Sequence, residues 1–110
     1  MAVNDLSGAN GPYVINRSTL NAADTAQQVK LPSWARKVTV MFKTSAFADD
    51  SGKVASSGTE GAAIGVNIFP VPSGSALEFK LMPQVLTTNS IYISGDDGSG
   101  YAALLIEGGD

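Results

Sequence analysis

Chemistry in this chain has to come from carboxylates, hydroxyls and a few amines, because the sequence contains neither cysteine nor histidine. Without cysteine there is no disulfide, no thiolate metal site and no cysteine nucleophile. Without histidine the commonest general base, the Ser–His–Asp triad and imidazole ligation are all missing. Seven of the ten Asp and Glu residues form two adjacent pairs, Asp49-Asp50 and Asp96-Asp97, and three separate glutamates, Glu60, Glu78 and Glu107. Aspartates in glycine-rich loops can ligate calcium, which takes about six to eight oxygens. Neither pair has the alternate spacing D-x-[DN]-x-[DN]-G of a calcium loop, since the second carboxylate follows directly on the first. The spacing predicts two solvated turns whose aspartates cap local amides. Glycoside hydrolysis needs two acids about 5–9 Å apart, one with its pKa raised by burial. The glutamates fall in a loop or on polar strand faces, and no spacing brings two of them together. The expectation is a non-enzymatic protein with no catalytic residues, no metal and no cofactor.

The cations show more order. Lys30, Arg36, Lys37 and Lys43 supply four of the seven Lys and Arg residues, all between positions 30 and 43. One reading is the wet face and rim of a single sheet. The sharper one is an electropositive patch that meets an acidic surface, such as the Asp96-Asp97 loop of a neighbouring copy. Aromatic residues are few, and Tyr92 and Tyr101 flank the glycine-rich segment 95–100, where they would pair across a hairpin.

Length and composition bound the scaffold that must position these groups. A chain of 110 residues makes one domain and can bury roughly two-thirds of its unfolded surface. Hydrophobic residues make up 44% and charged residues only 15%, against a norm of about 25%. The net charge of −3 lacks the Lys/Arg excess that neutralises phosphates, so no nucleic-acid partner is expected. No apolar run approaches the ~20 residues that span a bilayer, and no membrane partner is expected. The start Met1-Ala2-Val3-Asn4-Asp5 has neither the basic nor the apolar region of a signal peptide, and is read as the start of a whole gene product.

Residues 1–12 are punctuated by Asn, Asp, Gly and Pro and are expected to form an extended N-terminal arm, with Val3 and Leu6 its largest apolar anchors. Residues 13–110 are expected to form a single domain. Short strands are predicted at 13–15, 27–31, 37–43, 63–69, 77–81, 90–94 and 101–107. The clearest is Lys37–Lys43, where Val38, Val40 and Phe42 alternate with Lys37, Thr39, Met41 and Lys43. Pro32 and Pro83 stop the runs before them, and Thr87-Thr88-Asn89 links to the next. Residues 45–62 read as one long polar loop, and 95–100 as a hairpin loop. No stretch has helical periodicity. About seven short strands at regular spacing predict an all-β fold, an antiparallel β-sandwich or jelly roll.

Leu31-Pro32-Ser33-Trp34-Ala35-Arg36-Lys37-Val38-Thr39-Val40-Met41-Phe42 resembles a segment of bacteriophage tail-fibre and related virion proteins, approximately I-P-x-W-(A/V)-K-R-(I/V)-T-V-M-F. After Phe42 the sequence departs from that pattern, with Lys43-Thr44-Ser45-Ala46-Phe47 in place of a Ser/Gly/Thr run. The resemblance covers about a tenth of the chain and implies a β-domain on a virion surface. Independently of it, Trp34 is expected to lid the sandwich corner while Arg36 and Lys37 keep that corner wet.

Together these readings predict a capsid decoration or cement protein, made in the host cytoplasm and carried on the particle. Its expected partners are copies of itself, as the trimer usual for such proteins, and the major capsid protein or other virion proteins. The alternatives are a tail-fibre or tail-tip component that binds host glycan, and a free carbohydrate-binding module. Val3, Leu6, Lys30, Trp34, Arg36, Lys37, Asp96 and Asp97 are the expected interface residues.

Overall fold

A computed structural model of the chain describes residues 3–65, 67–81 and 89–108. Among these residues there are ten strands: β1 (Asn4–Asp5), β2 (Tyr13–Thr19), β3 (Gln27–Leu31), β4 (Lys37–Lys43), β5 (Asp49–Asp50), β6 (Gly52–Ala55), β7 (Ile68–Val71), β8 (Ala76–Lys80), β9 (Asn89–Gly95) and β10 (Tyr101–Glu107). They form two sheets that pack as a β-sandwich. Sheet I has the order β1-β3-β9-β6-β7, and sheet II the order β2-β10-β4-β5, with β8 also paired to β4. All pairings are antiparallel except that of β1 with β3.

The period of two decides which side chains meet between the sheets. Val38, Val40 and Phe42 of β4, with Ala102, Leu104 and Ile106 of β10, point inward from sheet II and are buried. Val29 and Leu31 of β3 and Ile91 and Ile93 of β9 answer them from sheet I. The all-β sandwich follows from this alternation.

Several boundaries differ from the sequence expectation, each for a local reason. β2 runs on past Ile15 to Thr19, because its polar residues also complete the ladder with β10, from Ile15↔Leu105 to Thr19↔Tyr101. Residues 45–62 are not one loop: they contain β5 and β6, and β6 lies between β9 and β7 inside sheet I. Gly52 hides this strand from a propensity argument, yet it is required there, since a Cβ would lie 2.5 Å from the Phe42 ring of the opposite sheet. The strand expected at 63–69 is found at Ile68–Val71, with Pro70 tolerated because β7 is an edge strand. Val66, Pro83 and Thr87-Thr88 lie outside the described residues.

The segment 95–100 is not a hairpin loop, because β9 belongs to sheet I and β10 to sheet II. Gly100 makes the tight crossover feasible: a Cβ there would collide with the Lys43 carbonyl oxygen. Tyr92 and Tyr101 therefore stand on different sheets and do not pair.

Nor is the arm 1–12 free of the domain. β1 adds to the edge of β3 through Asn4↔Val29 and Asp5↔Lys30, and the Leu6 amide donates to the Lys30 carbonyl (2.8 Å). The Leu6 side chain packs on the core, and Asn4 Nδ2 donates to Asn16 Oδ1 of β2 (2.9 Å), tying the two sheets together along one flank. The backbone of residues 4–6 pairs within its own chain, so this stretch is part of the sandwich.

Candidate interaction surface

The eight expected interface residues do not form one surface. Val3 is half-buried, and Leu6 is committed to the core. Trp34 lies in the turn between β3 and β4, where its indole Nε1 donates to the Ala9 carbonyl (2.8 Å) and its ring packs on the core. Arg36 donates to the carbonyls of Ser33 and Ala35 in the same turn. Asp96 accepts from Lys53 Nζ (2.9 Å) and from the Ser51 hydroxyl, and these two donors hold its carboxyl below the usual carboxylate range. The Asp97 amide donates to Asp50 Oδ2 (3.1 Å), so the two aspartate pairs are neighbours and Asp50 caps the backbone of the other. Lys53 also donates to Asp24 (2.7 Å), and its ammonium pKa is raised by Asp24 first and Asp96 second. Asp96 is thus matched by a lysine of its own chain.

The electropositive patch does not assemble either. Lys30 belongs to sheet I, whereas Lys37 and Lys43 sit at opposite ends of β4 in sheet II, about 20 Å apart at ~3.4 Å per residue. Lys43 pairs with Asp49 (2.7 Å). Lys37 stands 3.5 Å from both Glu107 and Glu78, and their charges, Glu107 first, raise its pKa. Two glutamates that sequence spacing left apart are therefore brought together around one lysine. They form an exposed ion triad, with the Glu78 side chain 61% accessible, and neither carboxyl has the enclosure that a general acid needs.

The surface that sequence reading missed is the outer face of sheet II. Its register sets the outward side chains in rows across the strands. At one end stand Tyr13, Glu107, Lys37 and Lys80, followed by Ile15, Leu105, Thr39 and Glu78. Arg17, Ala103, Met41 and Ala76 come next, and Thr19, Tyr101 and Lys43 close the far end. Ile15, Leu105, Ala103, Met41 and Ala76 make the two middle rows an apolar band, flanked by Arg17 and Glu78 within those rows and by further charges at both ends of the face. Ile15 is 76% exposed, and a shallow apolar depression of about 310 Å³ lies among Ile15, Thr39, Met41, Ala76, Ala103 and Leu105. At the far end the Arg17 guanidinium lies 4.6 Å from the Tyr101 ring centroid and 5.8 Å from that of Phe47.

A second apolar opening, of about 710 Å³, separates the edge strands β7 and β8, with Phe69, Phe79 and Leu81 on its walls. Among the described residues no cluster of acidic side chains has the geometry to hold a metal ion, and no helix is long and apolar enough to cross a membrane. No protein-family model, curated protein or solved structure matches the chain.

Proposed function

We propose that this chain is a non-enzymatic structural protein of a bacteriophage particle, a capsid decoration or cement protein that stabilises the head through contacts between subunits. The observation that carries the reading is the apolar band on the outer face of sheet II. A small domain gains nothing by keeping Ile15, Leu105 and Met41 in water, and such a band on a soluble protein marks a surface that another protein covers. The segment resembling phage virion proteins supplies β4, a strand of this face, and the turn that leads into it.

Sugar binding finds less support. A glycan platform needs exposed rings set flat side by side, whereas Phe47 and Tyr101 are tilted by 47° with centroids 6.3 Å apart and share the Arg17 guanidinium. The test is to add the purified chain to heads assembled from the major capsid protein of the phage that carries its gene. Saturable co-sedimentation, greater heat resistance of the heads and ordered density on the head lattice are expected. Binding to host glycans on an array, with no binding to heads, would replace this reading with the tail-fibre one.

A further inference from the structure

We propose that the outer face of sheet II is where two copies of this chain pair, sheet on sheet, across a two-fold axis at right angles to the strands. The pairing gives the assembly role above its first contact, but its geometry rests on the face alone.

Such an axis reverses each strand end to end and keeps the strand order, so β10 lies over the partner's β10. The row holding Ile15, Leu105 and Thr39 then falls on the partner's row of Arg17, Ala103 and Met41. Leu105 enters the space above the partner's Ala103, and the contact repeats by symmetry, large on small each time. This is the alternation that lets facing sheets interdigitate about 10 Å apart. The depression over Ala103 is the receiving space.

Charge favours a second copy over any other occupant. Among the described residues Arg17 has no carboxylate partner, and its guanidinium is turned toward Tyr101 at the far end of the face. At the other end Glu107 and Glu78 share the one ammonium of Lys37, each at 3.5 Å, with Lys80 at the β8 edge of the same row. Reversal of the strands sets Tyr101 over the partner's Glu107, which brings each Arg17 to a carboxylate that in its own chain only shares a lysine. Lys37 and Lys43 also face each other across the axis, but each already holds carboxylates of its own. A face charged this way is complementary to itself, as a two-fold contact requires.

Size sets the strength. Four strands of up to seven residues span roughly 19 Å by roughly 24 Å, a flat footprint of about 450 Å². That is at the small end of specific interfaces, so the pair is reversible and depends on concentration. It is also two-fold, unlike the trimer that the virion resemblance implies.

Sedimentation velocity on the full chain, over a range of concentrations and without heads, reads the pairing directly. A monomer–dimer equilibrium is expected. Ala103→Arg, which fills the receiving space, should weaken it at least tenfold, and Ile15→Glu serves as a second variant should Ala103→Arg melt early. Arg17→Glu and Glu107→Arg should each weaken the dimer, and the double variant should regain most of the loss. A chain that is monomeric at every concentration overturns the proposal, as does a dimer or trimer indifferent to Ala103→Arg and Ile15→Glu, or a double variant no better than the singles. Head binding is measured separately: a dimer that ignores heads refutes the assembly role and leaves the pairing standing, while a monomer that binds heads does the reverse.

Discussion

Trp34→Ala should cost about 3–4 kcal/mol and loosen the N-terminal arm before the rest of the sandwich. Trp34 joins three pieces of chain that are distant in sequence. Its Nε1 donates to the Ala9 carbonyl (2.8 Å), and its ring lies against Gly11 and Gly108, where added Cβ atoms would sit 3.3 and 2.7 Å from ring carbons. The Gly108 amide donates to the Pro12 carbonyl (2.8 Å) beside it. Truncating a fully buried tryptophan costs about 3–5 kcal/mol, and half-burial scales that to about 2–3. The lost indole hydrogen bond adds about 1 kcal/mol. With an unfolding entropy of about 2.1 cal/mol/K per residue, the melting temperature should fall by roughly 15 °C. Trp34→Phe keeps most of the ring and loses only the bond, so it should fall by roughly 5 °C. The assay is a thermal melt followed by circular dichroism at a concentration where the chain is monomeric. Amide exchange adds a local reading: the Leu6 amide, bonded to the Lys30 carbonyl, should lose protection well before the amides of β4 and β10. An unchanged melting temperature for Trp34→Ala would refute the argument, and so would Leu6 protection that falls only with global unfolding.

Glu60 should prove structural: its two oxygens accept from the Gln28 amide (2.6 Å) and from Asn21 Nδ2 (2.8 Å), pinning the loop after β6 to the edge of β3. Glu60→Ala should cost about 2–4 kcal/mol, the loss of two charge-assisted bonds. Glu60→Gln should cost less but not nothing, because its amide turns a donor toward Asn21 Nδ2, which cannot swing away without losing the Ala26 carbonyl; equal melting of Glu60→Gln and wild type would refute this. The pH response should be flat across the middle of the scale and asymmetric in cause. Asp96 has a lowered pKa, so its contribution is present above about pH 4 and lost as pH falls through its folded value. Lys53 has a raised pKa, so its contribution is complete below about pH 10 and lost as pH rises through its folded value. Lys53→Met should therefore make the acid and alkaline limbs of a melting-temperature profile less steep, and parallel limbs in the two proteins would count against it.

The fold was legible wherever one strand face was buried and the other wet. β4 shows this most clearly: its alternation fixes the element, its limits and its inward face. What could not be read was set by partners far along the chain. Gly52 looks like loop until the Phe42 ring arrives from the opposite sheet, and β1 is two polar residues until β3 offers its edge. The lysines and arginine at 30–43 look like a patch in sequence, but the strand rise and the sheet assignment scatter them. Charges that are neighbours in sequence count as a patch only if they share a face.

The apolar band left a different trace, one that alternation alone obscures. In Tyr101–Glu107 the inward residues Ala102, Leu104 and Ile106 are interleaved with Ala103 and Leu105, so both faces of the strand are apolar along its middle. A continuous apolar run of this kind is the mark of a strand covered on both sides. Tyr13-Val14-Ile15 and Met41 of β4 carry the same double character, on the strands that flank β10. The described residues supply a covering layer on one side only, the inner face packed against sheet I. Three adjacent strands composed for two covered faces, in a domain that covers one, point to a second layer brought by another molecule. The two-fold pairing gives that layer the same composition as the face it covers.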